Sequence, residues 1–185
     1  NLLASTLYTA GIFTDKDVWQ KARLAIEANR PSAARAAASL VSPDAAVALA
    51  EIAKNPERYL NRKAASKDAE TMELATLALR RLGSSDPQAA AAQLNDRWQS
   101  QLPGPLAALA WAGTAKQAAQ KLMPEAGGYY QRAWSLRSGL TAAQLDTAPW
   151  SDDMLGWQVR AALRFDGPDA QRWALISAAQ QAMSA

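Results

Sequence analysis

The stretch Ser151-Asp152-Asp153-Met154-Leu155-Gly156-Trp157-Gln158-Val159-Arg160-Ala161-Ala162-Leu163-Arg164 decides how this chain is read. It opens on a serine and two acids, the composition of a helix N-cap followed by side chains that suit the positive end of the helix dipole. Trp157 and Arg160 then stand one turn apart on one face. The local frame, a tryptophan followed by glutamine with an arginine or lysine close behind, recurs in Val18-Trp19-Gln20-Lys21-Ala22-Arg23. Arg97-Trp98-Gln99 and Trp134-Ser135-Leu136-Arg137 are weaker echoes. The chain holds seven tryptophans and is about a quarter alanine. Alanines let helices approach closely, and each indole then fills one gap between them, so the pattern predicts stacked helix pairs.

Outward from this segment, helix signals dominate and strand signals are nearly absent. Thr14 before Asp15-Lys16-Asp17 predicts a helix carrying Val18, Trp19, Ala22, Ala25 and Ile26 on one side. Asn29-Arg30-Pro31 breaks it, and Pro31 starts the next helix, to about Leu40. Ser42-Pro43-Asp44 starts another, through about Ala53. Asn55-Pro56-Glu57 interrupts, leaving a short turn with Tyr59 and Leu60. Lys67 to Leu82 reads as helix, ended by Gly83 as a left-handed cap. Ser85-Asp86-Pro87 starts a helix reaching Trp98. After the turn Pro103-Gly104-Pro105, Leu106 to Leu122 is helical with a weak point at Gly113-Thr114. Pro124-Glu125 opens a helix holding Tyr129, Tyr130 and Trp134. Gly139 to Trp150 is less regular. Two further helices run to about Arg164 and, beyond Phe165-Asp166-Gly167-Pro168, to Met183. The expectation is an all-α chain of about nine or ten helices, an irregular right-handed α-superhelix of stacked helix hairpins. No strict repeat period can be laid down.

Composition narrows the chemistry. With 185 residues, 20% charged, a net charge of +3 and 9 each of glycine and proline, the chain is globular rather than disordered. Arg80-Arg81 and Arg62-Lys63 are pairs rather than the clusters a nucleic-acid interface requires, so no nucleic acid is expected. Lack of cysteine removes thiol catalysis and thiolate metal sites, and lack of histidine removes Ser-His catalysis and the commonest transition-metal ligand. The longest apolar stretch, Pro105 to Gly113, is about half of the roughly 20 residues a membrane span needs. No signal peptide is visible, and a start at Asn1 rather than Met reads as a processed or excised segment.

The candidate chemical groups have mostly structural explanations. Adjacent Asp152 and Asp153 diverge on a helix and sit where acids stabilise its dipole. Glu70 and Glu73 share a face but lack a second pair to complete a metal site. Gly127-Gly128 alone is a turn or a helix flaw. Trp157 with Arg160 has two readings. One is a platform for a sugar or a partner domain, with the indole stacking and the guanidinium donating. The other is a packed tryptophan with the arginine laid along a neighbouring helix. Of Tyr129 and Tyr130, one ring is expected in the core and the other exposed.

The acidic start followed by Trp157-Gln158-Val159-Arg160-Ala161-Ala162-Leu163-Arg164, and the ending Gln180-Gln181-Ala182-Met183-Ser184, resemble the end of the U-shaped superhelical domain of soluble lytic transglycosylases. Trp19-Gln20-Lys21-Ala22-Arg23-Leu24-Ala25-Ile26 through Asn29-Arg30-Pro31 with Ala33-Ala34-Arg35 resembles an earlier helix pair of that domain, and Ala53-Lys54-Asn55-Pro56 also fits. The break at Phe165 to Asp169 is longer than the family pattern.

The resemblance implies a periplasmic protein, cleavage between N-acetylmuramic acid and N-acetylglucosamine in peptidoglycan with 1,6-anhydromuramoyl products, and a lysozyme-like catalytic domain C-terminal to the superhelix. It implies catalysis by a glutamate in a Glu-Ser pair, and none of the six glutamates here precedes serine. Nor does a Gly-Leu-Met-Gln stretch occur. Residues 1–185 are thus expected to form part of one superhelical domain, with no catalytic residue, cofactor or metal and no lytic activity alone. Trp157, Arg160, Arg164, Trp19, Arg23, Tyr129 and Tyr130 are the candidates for contact with the glycan or a domain interface. The rivals are a free-standing helical-repeat adaptor that binds protein, and an enzyme whose carboxylate pair forms only in space.

Overall fold

The computed structural model describes residues 2–183. These are 78% helical, without strands, in twelve helices when the unbroken helical run 87–101 is counted as one. They fall into two compact units, one ending at Arg81 and one beginning at Leu82.

The first unit holds α1 (Leu2–Thr9), α2 (Asp15–Glu27), α3 (Pro31–Ala38), α4 (Pro43–Lys54), α5 (Pro56–Arg62) and most of α6 (Ala69–Ser85). Helices α2 to α5 pack each against the next. The start signals act through short-range bonds. The Thr14 N–H donates to Asp17 Oδ2 at 2.9 Å, the Ala45 N–H donates to Ser42 Oγ at 2.9 Å, and the Arg58 N–H donates to Asn55 Oδ1 at 2.9 Å. Asp68 accepts from the Thr71 N–H at 2.8 Å and from the Ser66 hydroxyl at 2.6 Å, which holds its carboxyl down at about 2. Asn29 ends α2 in the left-handed region, φ 53, and the Arg30 N–H reaches back to the Ala25 carbonyl at 2.7 Å.

Two ion pairs tie α2 to α6 inside this unit. Arg23 Nη1 donates to Glu73 Oε2 at 2.6 Å, and Arg80 Nη2 donates to Glu27 Oε2 at 3.0 Å. Both arginines are buried, as are Val18, Trp19, Ala22, Ala75 and Leu79 of the same two helices. Burial raises the Glu73 carboxyl although Arg23 opposes it, and burial likewise lowers the Arg80 guanidinium. The Ser42 hydroxyl, besides capping α4, donates to Glu70 at 2.9 Å. Glu70 and Glu73 therefore serve two different tertiary bonds.

In the second unit, α7 (Pro87–Gln93), a π-helical turn at Leu94–Trp98 and α8 (Gln99–Gln101) run without a break. They are followed by α9 (Gly104–Gln120), α10 (Ala126–Arg137), α11 (Ala142–Thr147), α12 (Asp152–Arg164) and α13 (Asp169–Met183). Helix α9 is the hub: it packs against α7, α10, α11 and α12, and its residues from Leu106 to Ala119 are nearly all buried. A helix enclosed on all sides needs apolar or small residues all round, and the alanine-rich α9 has them. Its Lys116 is buried and pairs with the exposed Asp153 of α12. Ala115, Ala118 and Ala119 join Ala126, Tyr130, Ala161, Ala162, Leu175 and Ile176 in one cluster. Tyr129, Trp134 and Trp157 close over it.

Several local expectations are corrected. Helix α1 is an addition to the expected set, and α5 and α11 are short helices where a short turn and a less regular stretch are expected. Gly83 does not cap α6, which continues to Ser85; it lies where a Cβ would sit 3.6 Å from Thr114 Cα and Ala90 Cβ, at a close approach of helices. Gly113-Thr114 is no weak point, because α9 runs through it to Gln120 with the Thr114 hydroxyl bonded to the Ala110 carbonyl at 3.0 Å. Gly127 is no flaw either. A Cβ there would come within 2.7 Å of Phe165 Cγ, and one at Gly167 within 2.8 Å of Phe165 Cζ, so two glycines make room for one ring. Of the ending Gln180 to Ser184, Ser184 lies outside the described residues.

Candidate functional site

Helix α12 carries the segment that singled out this chain. Ser151 accepts from the Met154 N–H at 3.2 Å, and Met154, Leu155, Gln158, Ala161 and Ala162 form the buried face. The Gln158 side chain is wholly inside, donating Nε2 to the Leu175 carbonyl at 2.7 Å, which pins α12 to α13. The outward face leaves Trp157 half-buried and Arg160 and Arg164 exposed. Arg160 lies over the Trp157 ring, its Cζ 5.0 Å from the centroid. The arginine thus stacks on its own helix rather than along a neighbour, a contact worth roughly 0.5–1 kcal/mol when solvated.

Arg164 lines a cleft of about 180 Å³ with Ala119, Leu122, Met123, Pro124, Ala126, Gly127 and Ala161. The wall at Leu122 is strained. This exposed leucine ends α9 with φ 58, a conformation that costs a side-chain-bearing residue roughly 1–2 kcal/mol. Glycine there should raise stability by about 1 kcal/mol, after allowing for its freer unfolded chain. A denaturant melt of L122G reads this, and a midpoint at or below the parent's would contradict it.

The other candidates have packing roles. Trp19 is 5% and Arg23 3% exposed, inside the first unit, with Arg23 on Glu73. Tyr130 is fully buried and its hydroxyl donates to the Met154 carbonyl at 2.7 Å. Tyr129 is half-buried against Trp111, ring centroids 5.6 Å apart, and burial raises its hydroxyl above the ordinary range. Trp111 donates Nε1 to Gln99 Oε1 at 2.8 Å, and Arg132 reaches the same oxygen at 2.9 Å and Asn95 at 3.0 Å. The π-helical turn and the start of α8 thus present Asn95 and Gln99 to one guanidinium.

Sequence reading missed one feature of the first unit. Val47, Ala50, Glu51, Lys54, Arg58 and Arg62 line an open cleft of about 450 Å³ between α4 and α5. Its cations come from two helices whose spacing is set by Asn55-Pro56, so no linear motif marks it. Arg62 there pairs with Glu51 and lies 5.5 Å over the Tyr59 ring. Among the described residues no three of His, Cys, Asp or Glu are grouped so as to hold a metal ion. No described helix is long and apolar enough to cross a membrane. Comparison of the chain with protein-family models, with curated proteins and with solved structures gives no match.

Proposed function

We propose that this chain is a scaffold portion of a periplasmic lytic transglycosylase, continuing as an irregular right-handed α-superhelix. In this reading it guides a peptidoglycan glycan strand toward a lysozyme-like catalytic domain. The parent enzyme would cleave the bond between N-acetylmuramic acid and N-acetylglucosamine to leave 1,6-anhydromuramoyl ends. One observation carries the reading: Trp157, braced from within by the buried face of α12, turns part of its ring outward beneath Arg160. A half-open indole offers an apolar face to a sugar ring, and guanidinium N–H groups beside it donate to hydroxyl, acetamido and carboxylate oxygens. Arg164, one turn on, extends the donor row to the cleft.

The test is co-sedimentation of the purified chain with peptidoglycan sacculi. The parent chain should sediment, W157A/R160A should bind at least tenfold more weakly with an unchanged helical circular dichroism spectrum, and no anhydromuropeptides should be released by either. Equal sedimentation of the two proteins would overturn the role given to α12. Leu163 and Trp173, each 62% exposed on α12 and α13, favour the rival adaptor reading. An adaptor would leave sacculi unbound and take up a protein partner instead.

A further inference from the structure

The second unit holds a cluster of hydrogen-bond donors that none of its described residues answers. Trp134 of α10 and Trp150, just before α12, meet edge to face with ring centroids 5.2 Å apart. The Arg137 guanidinium lies against both, its Cζ 4.7 Å from the Trp150 centroid and 5.5 Å from that of Trp134. Both indole Nε1–H groups are buried and have no acceptor among the described residues. Arg137 is half-buried with its guanidinium against the two rings, and no carboxylate among the described residues pairs with it.

The contrast with other arginines in this protein is direct. Arg23 and Arg80 are buried on Glu73 and Glu27, and Arg132 over Trp111 is bonded to Gln99 and Asn95. Burial alone lowers the Arg137 pKa, with no carboxylate to restore it. A half-desolvated cation without a counter-charge is costly, and buried N–H donors without acceptors add to the cost. The rings can accept only through their π faces, so they do not satisfy the guanidinium N–H groups as a carboxylate would. The group that matches a planar fork of N–H donors is a planar carboxylate, bound through two parallel bonds.

We propose that Arg137, set in the corner formed by Trp134 and Trp150, is the recognition point of a binding site for the carboxylate of a small ligand. The rings fix the guanidinium, so little rotamer freedom is lost on binding, and the flanking indoles discriminate against bulky hydrated anions. The proposal stands independently of the glycan reading, because it uses none of Trp157, Arg160 or Arg164.

The indole N–H resonances of the seven tryptophans report on it directly. In ¹H–¹⁵N spectra, assigned with W134F and W150F, the Trp134 and Trp150 signals should shift saturably on addition of sodium acetate at constant ionic strength. Acetamide and chloride should leave them in place. N-acetylmuramic acid against N-acetylglucosamine, and N-acetylalanine against its amide, then tell a sugar acid from a peptide terminus. R137Q should weaken the response at least tenfold, and R137K, which keeps the charge but not the fork, nearly as much. The unmoved signals of Trp19 and Trp98 in both variants report the retained fold. Equal shifts with chloride and acetate, or an acetate response surviving in R137Q, would overturn the carboxylate site.

Discussion

Replacement of Glu73 by alanine should destabilise the protein by roughly 3–5 kcal/mol, because it removes one partner of a buried ion pair in which Arg23 donates at 2.6 Å. Arg23 is 3% exposed, so water cannot take the place of the lost carboxylate. The penalty is the cost of removing one partner of a buried pair and not the net worth of the pair. The double replacement R23M/E73L distinguishes the two quantities. It removes both charges, keeps most of the side-chain volume, and should return stability to within about 1 kcal/mol of the parent or above it. Denaturant unfolding of the single and double variants reads both effects as midpoint shifts. A double variant as unstable as E73A would mean that the pair is needed for more than mutual neutralisation. A loss of 3–5 kcal/mol is a large share of the roughly 5–15 kcal/mol that holds a domain together.

The second large effect is expected at Trp98, whose indole is fully buried in the π-helical turn. Trp98→Ala should cost roughly 3–5 kcal/mol, from lost burial and the cavity left between the close-packed helices around Leu94 and Ala91. Phenylalanine should cost much less, about 1 kcal/mol, since the Trp98 Nε1–H has no partner to lose. Trp111 supplies the contrast. Its Nε1–H donates to Gln99, which also holds Arg132, so W111F should cost more than W98F although both rings are buried. Thermal and urea melts of the three variants rank them, and W98F falling below W111F would contradict the argument.

Helix starts were the most legible part of this chain. Thr14, Ser42, Asp86 and Ser151 each sit at the head of a helix as their sequence contexts predict. Their bonds reach only three residues along the chain, so the information is local. Helices α5 and α11 were less legible because their few turns are held by tertiary contact, as with the fully buried Tyr59 and Leu60. The positive-φ ends were half legible. Asn29 is a residue that enters that region readily, whereas Leu122 gives no such signal.

The site divides the same way. Trp157 with Arg160, and Trp134 with Arg137, both show the three-residue spacing that puts a guanidinium over an indole of its own helix. The arrival of Trp150 beside Trp134 and Arg137 has no local signal, since it comes from the segment after α11.

By itself the sequence determined that the described residues are helical without strands, and where most of their helices begin. Those outcomes follow from capping and periodicity, which act within a turn or two. Only the tertiary structure decided which indoles stay open. Trp19 and Trp157 share one local frame, yet Trp19 and Arg23 are sealed because α6 brings Glu73 from 50 residues away, while Trp157 keeps an open edge beneath an exposed Arg160. Burial of a charge depends on whether another segment supplies its counter-charge, and no residue's neighbours in sequence encode that.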